Sequence, residues 1–355
     1  MTRVLSTIFL LGSILSLPAQ TLETIFQGAS TTIVDQQTCS SAAICDDMDP
    51  ATIDICLAGR CAHTTMSGLL PSTHAYRMQL SPSGDLWYTS RGGISHYDGI
   101  NGSYITPLNG AWPTQWTMST VIAPQIGPNG DVWVVGSDIA NGQPLVVGHW
   151  DGSQFTSYSN QGGALATGAI IDMAVSPNGE ISVLHIGSMI SQFDGINWMT
   201  IDLSQITSVA NFNARAIAYD SANELWLGGI DSNQQAELAH FDGTTWSYIS
   251  GGSVVNGSVI NLTITSNDTK WLYSIYNNGL MRYDGTWNTY TYPNGGLTFG
   301  NIHQIAEGQN GLLWMAMGGS LAKFDPNTAT STAYSYLNSN IPINSIKSVA
   351  ANPNT

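Results

Sequence analysis

Past Gly68 the apolar positions come in short runs that alternate with polar ones, and glycine-rich turns separate the runs. One stretch shows the scheme. "VIAPQI" is a short apolar run and "GPNG" a turn, where Asn and Gly accept positive φ. "DVWVVGS" and "PLVVGHW" are rich in the β-branched residues that suit strands. Asp-Gly then makes a tight hairpin turn, and "SQFTSYS" alternates as an outer strand does. No stretch past Gly68 carries a helical period, so the pattern predicts an all-β chain.

The scheme repeats. Aromatic–Asp–Gly occurs at Tyr97–Gly99, Trp150–Gly152, Phe193–Gly195, Phe241–Gly243 and Tyr283–Gly285, and a sixth copy reads Phe324, Asp325, Pro326. Upstream of each, a turn leads to Trp87, Trp133, Ser182, Trp226, Trp271 and Trp314, with Ser182 replacing the Trp in the third copy. Copies are roughly 43 to 49 residues apart, the period of four-stranded propeller blades. Blades are expected to start near Ala75, Val121, Ile171, Ala214, Val259 and Ile302. "IPINSIKSVAANPNT" matches the first strand and turn of a seventh copy. The expectation is a seven-bladed β-propeller with six complete blades and the first strand of a seventh, truncated at the C-terminus. Such a ring would leave an unpaired edge, with Tyr88 and groups near Ile94 partly exposed.

The repeat also interprets "GHWDG". The residue before the aromatic is His96, His149 and His240 in three copies but Gln192, Arg282 and Lys323 in the others. A position that accepts all of these reads as a solvated strand position, with Asp151 and Gly152 a turn and Trp150 packed between blades.

Charge narrows the partners. Acidic residues outnumber basic ones 24 to 9, a net charge of −15, which argues against nucleic acid and anionic membranes. "MTRVLSTIFLLGSILSLPAQ" has the basic start, apolar stretch and small-residue site of an export signal. No other segment is apolar enough to span a bilayer, so the mature chain is expected in the periplasm, at the cell surface or outside the cell, without membrane insertion. Cys39, Cys45, Cys56 and Cys61 cluster in a stretch that export would allow to be disulfide-bonded, in any of three connectivities. The domains read as signal peptide 1–19, N-terminal segment 20–38, disulfide module 39–63 and propeller 72–355. Asp46, Asp47, Asp49 and Asp54 crowd the cysteine module. Calcium is the cation such carboxylates suit, against a reading as turn and cap residues; no other cofactor is expected.

"GDLWYTSRGGISHYDG", "NELWLGGIDSNQQAELAHFDG" and "GLLWMAMGGSLAKFD" resemble the propeller repeats of bacterial hybrid two-component regulators, whose propellers are periplasmic sensors. The cysteine stretch resembles small modules of secreted proteins, with Met48 and Ala51 departing from their pattern. The resemblance implies the propeller fold, and because a propeller's function lies in the loops around its channel, the expectation is a non-catalytic binding or interaction module, the sensing part of a larger surface or signalling protein. Its ligand would be a carbohydrate or a peptide, met on the face that carries the loops between second and third strands. Trp112, Trp116, Asp138 and Asp231 are the candidate contacts there, the alternative being that the two Trps cover a blade edge. Two other readings stand beside it. "GDLWYTS" resembles strands of antibiotic-cleaving propeller lyases, for which His74, His185 and His303 would be the candidate bases. A structural spacer of an exported adhesin is the third.

Overall fold

The computed structural model describes residues 32–38, 52–57, 60–65 and most of 75–351; residues 106–115, 139–142, 253–260, 274–278 and 341–345 are among those it does not. Near the N-terminus β1 (Thr32–Thr38), β2 (Thr52–Leu57) and β3 (Arg60–Thr65) form an antiparallel sheet in the order β1-β3-β2. The rest is an all-β propeller with six four-stranded blades.

Blade 1 runs β4 (Ala75–Leu80), β5 (Leu86–Ser90), β6 (Gly93–Tyr97) and β7 (Gly102–Ile105) from the axis outward. Blade 3 comprises β13 (Ile170–Val175), β14 (Ile181–His185), β15 (Met189–Phe193) and β16 (Trp198–Asp202). Blade 4 comprises β17 (Asn213–Tyr219), β18 (Leu225–Ile230), β19 (Ala236–Phe241) and β20 (Trp246–Gly252). Blade 5 comprises β21 (Asn261–Ile264), β22 (Lys270–Tyr273), β23 (Gly279–Tyr283) and β24 (Trp287–Thr291). Blade 6 comprises β25 (Ile302–Glu307), β26 (Leu313–Met317), β27 (Ser320–Asp325) and β28 (Thr330–Tyr334). The observed starts follow the repeat closely, because turn chemistry and alternation set both the strand ends and the buried face.

Blade 2 departs from expectation. "VIAPQI" is not one strand: its inner edge is split into β8 (Trp116–Met118) and β9 (Gln125–Ile126), both pairing β10 (Val132–Asp138). Pro124 has no N–H to give the ladder, so pairing lapses before β9. β11 (Gln143–Trp150) and β12 (Phe155–Tyr158) complete the sheet.

The core is a set of blade–blade interfaces. Between blades 2 and 3, Trp133, Val135 and Val147 meet Met173, Ile181 and Val183, with Tyr158, Phe193 and Trp198 stacked outside them. Between blades 5 and 6, Trp271 and Tyr290 pack on Met315 and Phe324. The seventh position holds residues 346–351. Ile346 and Val349 pack on Trp314 and Leu321 of blade 6, and Ala350 packs on Met78, Leu86, Tyr88 and Tyr97 of blade 1. This corrects the expected gap: Tyr88 is 4% exposed and Ile94 fully buried. Alternation explains half of it, since Ile94 faces blade 2 rather than the seventh position. A complete seventh blade is not seen among the described residues.

Candidate functional site at the axial channel

The "GHWDG" question resolves locally. His149 stacks on Trp133 at 4.0 Å between centroids, and its Nε2 meets Asp131 Oδ2 at 2.9 Å. The same trio recurs as Trp87–His96–Asp85 and Trp226–His240–Glu224. Cross-strand register makes it: Trp133 lies opposite His149, as Trp87 lies opposite His96 and Trp226 opposite His240. The histidines are therefore bound rather than merely solvated. Burial pushes the Asp131 carboxyl up, but hydrogen bonds from His149 and Trp133 outweigh it and leave the pKa lowered. Asp151 accepts from the backbone N–H groups of Gln154 and Ser153 and from the Ser153 hydroxyl, and these bonds hold its carboxyl below the usual range.

The candidate loop residues divide. Trp112 lies outside the described residues. Trp116 is 5% exposed and packs edge-on against Phe155 at 5.0 Å, inside the interface of blades 1 and 2. Of the two readings of Trp116, the structure gives the one in which it covers a blade edge rather than an exposed aromatic platform. Asp138 ends β10, with its backbone opposite Trp116 and Gln143. Asp231 closes the β18–β19 turn by accepting from the Gln235 N–H. It neighbours Glu237, whose pKa is raised by burial and by the Asp231 charge, and Tyr248, which is hydrogen-bonded to Glu237. Asp138 and Asp231 share one face of the ring but stand two blades apart, so the fold does not bring them into one site. Cys39, Cys45, Asp46, Asp47 and Asp49 lie outside the described residues. Cys56 and Cys61 are backbone partners across β2 and β3, and Asp54 is opposite His63.

Of the candidate bases, His74 lies outside the described residues. His185 is buried in blade 3, with Nδ1 on the Gly168 carbonyl and Nε2 on Ser191 Oγ. His303 stands elsewhere, on the axial channel.

That channel, about 370 Å³, is lined by the inner strands of all six blades and by 349–351. Each inner strand of blades 1, 3, 4 and 6 carries a bulge near its start, and the residue after it is Arg77, Asp172, Ala216 or Gln304. These side chains work across blades. The Ile217 N–H donates to Asp172 Oδ2 at 2.9 Å, linking blades 3 and 4. Met78 N–H donates to Ser348 Oγ, and Gln304 Nε2 donates to the Met78 carbonyl, so 346–351 is latched between blades 6 and 1. Ser348 Oγ also donates to Gln304 Oε1. Burial pushes the Asp172 carboxyl up to about 7, against the pull of the Ile217 and Met173 N–H groups.

One mouth gathers cations. Lys347 Nζ lies 3.3 Å from His303 Nε2, and Arg77 donates to the Lys347 carbonyl. Burial, and then the Lys347 and Arg77 charges, push His303 down to about 4, so the imidazole is neutral at pH 7. Burial also lowers Arg77. His303 lies at the start of β25, the end of the sheets that also carries Asp138 and Asp231. The mouth therefore opens on the loop face singled out from sequence. Arg77, Asp172 and Lys347 were not singled out. The signal available was that the equivalent inner-strand positions carry Arg77, Asp172, Gln304 and Ser348, polar residues where only Ala216 is apolar.

Fold and channel together define a β-propeller with an axial polar mouth. No known family pattern matches the chain, and no curated protein does. Among solved structures it is similar to virginiamycin B lyase from Staphylococcus aureus, with TM-score 0.58 and 18% identity over 79% of this chain and 89% of that one. A catalytically inactive form of that lyase with quinupristin gives TM-score 0.55 at 18% identity, covering 74% and 84%. The extracellular domain of a hybrid two-component system from B. thetaiotaomicron gives TM-score 0.55 at 15% identity, covering 83% of this chain and 40% of that one. These likenesses establish the propeller fold. No helix among the described residues is long and apolar enough to cross a membrane.

Proposed function

We propose that this propeller is an exported, non-catalytic binding module that takes a carbohydrate or peptide ligand at the loop face, as the sensing part of a larger surface or signalling protein. The observation that carries this reading is the channel mouth, a concave polar site held on rigid inner strands at the face where the loops gather. The likeness to a two-component extracellular domain is consistent with it at the level of fold. The lyase reading is supported by fold likeness alone, and here His303 faces Lys347 and Arg77 rather than a carboxylate that would orient it as a base. Calcium in the cysteine module remains a separate proposal, resting on Asp46, Asp47, Asp49 and Asp54. The test is a binding screen of the mature chain against oligosaccharide and peptide libraries, followed by Ala123→Trp, which fills the channel from the wall of blade 2. Binding that disappears in Ala123→Trp at unchanged melting temperature supports the reading. Retained binding places the ligand elsewhere, and conversion of a ligand to product restores the enzyme.

A further inference from the structure

Several large apolar or aromatic side chains stand exposed among the described residues, and one of them is tied down. Tyr248, 40% exposed on the outer strand of blade 4, donates its hydroxyl proton to Glu237. Buried Phe212 meets its ring edge-on, with centroids 6.2 Å apart. We propose that Tyr248, set by Glu237, is the stacking platform of a neutral carbohydrate site on the loop-face flank of blade 4. This rests on the reading of the propeller as a binding module; it names the ligand class and a contact outside the channel.

The repeat requires neither residue. The register position of Tyr248 holds Ser157, Thr200, Thr289 and Ala333 in blades 2, 3, 5 and 6. Blade 1 has Tyr104 there, but Gly93 stands at the position of Glu237. In blades 2, 3 and 6 that second position holds Val146, Met189 and Ser320. Gly, Val, Met and Ser all serve the structural role, so packing does not call for a carboxyl there. Glu237 is nonetheless 4% exposed, and its Oε2 is buried with no hydrogen-bond partner. Burying such an oxygen is costly. What the carboxyl gains in return is the bond from Tyr248 to its other oxygen.

That bond fixes what the tyrosine can recognise. A phenol has one proton, and here it is committed to Glu237, so the Tyr248 oxygen meets a ligand as an acceptor only. Donating to a carboxylate strengthens it as an acceptor. Glu237 itself is too buried to touch a ligand and acts as a positioning residue. Held at its tip and at its edge, the ring gives up little freedom when a ligand stacks on it. The matching ligand carries a flat apolar face with proton donors at its rim. A pyranose ring with equatorial hydroxyls has both, whereas a peptide offers one N–H per residue and no such face. Acidic sugars and phosphates bring acceptors instead, and they meet the Asp231 charge, which acts on Tyr248 and Glu237 alike, on a chain at −15.

The test titrates cellotetraose and N-acetylchitotetraose into the full chain carrying ¹³C-labelled tyrosine rings. The Tyr248 signal is identified by its absence in Tyr248→Ala, and tetraethylene glycol is the control without a sugar face. A saturable shift of the Tyr248 ring with one of the sugars and none with the control is expected. Tyr248→Ala should weaken that sugar about tenfold, the size of one ring contact, at unchanged melting temperature. Tyr248→Phe keeps the ring and loses the acceptor, so it should fall between wild type and Tyr248→Ala. Glu237→Gln still accepts the phenol proton and should keep most of the binding. Glu237→Leu should bind as Tyr248→Phe does, and its Tyr248 ring should ionise at lower pH, a readout that a purely structural Glu237 would not move. No saturable shift with either sugar, or binding unchanged in Tyr248→Ala or Tyr248→Phe, overturns the proposal. A shift produced by acetyl-tetraproline amide and by neither sugar also overturns it, by making the platform a peptide site. Sugar binding that is lost in Ala123→Trp and kept in Tyr248→Ala overturns this site while the channel reading stands, which keeps the two failures distinct.

Discussion

Asp172 shows how one side chain can set the pH response of a ring. Burial raises its pKa from 3.8 to about 7, with the Ile217 and Met173 N–H bonds pulling the other way. The folded state thus keeps a proton that the unfolded chain releases near pH 4. Its contribution to stability is complete below about pH 4 and is lost as pH rises towards 7, on the order of 2 kcal/mol once channel water is allowed for. Asp172→Asn keeps an acceptor for Ile217 N–H and removes the titration. Melting curves should show the variant gaining stability over wild type at pH 8 and matching it at pH 4; equal curves at both would mean the carboxyl is not buried in this way. The hairpin turns give the opposite kind of prediction. Gly152 has φ 97°, a left-handed conformation that costs little only in glycine. Gly152→Val should destabilise by about 1 kcal/mol or more, while Asp151→Asn, whose amide oxygen still accepts from Ser153 and Gln154, should leave ligand binding intact. The sequence showed these turns directly because a turn is a local matter. It also held the Trp–His–acid stacks in hidden form. His96, His149 and His240 go with Asp85, Asp131 and Glu224, whereas Arg282 and Lys323 go with Thr269 and Leu312. The pairing spans two strands, so reading one position at a time misses it.

At the level of the strand, alternation and turn chemistry made the starts of five of the six blades readable to within two residues. Blade 2 was the exception because Pro124 interrupts a run that is otherwise apolar enough to pass for one strand. The consequence is a tight local packing problem. A Cβ on Gly148, in β11, would sit 2.3 Å from the Phe155 ring and 2.9 Å from the Trp116 ring. Both rings are held in the interface between blades 1 and 2, where Ile94, Val134 and Val146 leave them little room to move. Gly148→Ala should therefore cost about 1–3 kcal/mol, the range for overpacking a filled core. Chemical denaturation of the variant measures it, and a loss below 0.5 kcal/mol would mean Trp116 can swing outward, reviving it as an exposed contact. The channel mouth was illegible at this scale for a related reason. Arg77, Asp172 and His303 lie on the inner strands of three different blades and Lys347 in the segment 346–351, far apart in sequence, and only the ring brings them to one axis.

At the scale of the whole ring, stability turns on what covers the seventh position. Elsewhere each interface draws side chains from two full sheets, as blades 4 and 5 do with Trp226 and Leu238 against Leu272 and Met281. At the seventh position the described partner is 346–351 alone, yet Trp314, Leu321, Tyr88 and Tyr97 are all buried. Residues 346–351 reach those faces from the axial side, with Ala350 against Tyr97 on the third strand out, and are one segment where the other interfaces have a four-stranded sheet. The three-stranded sheet β1-β3-β2 has the number of strands that would bring one inner segment to four. Each blade depends on its neighbours for burial, so a ring with both chain ends in one blade is locked where it would otherwise fray. The prediction is that a chain starting at residue 20 is monomeric with one sharp melting transition. A chain starting at residue 67 should melt lower and self-associate through the uncovered faces of blades 6 and 1. Light scattering and calorimetry on the two forms decide it. If removal of the N-terminal strands changes neither mass nor melting, the cover comes from elsewhere.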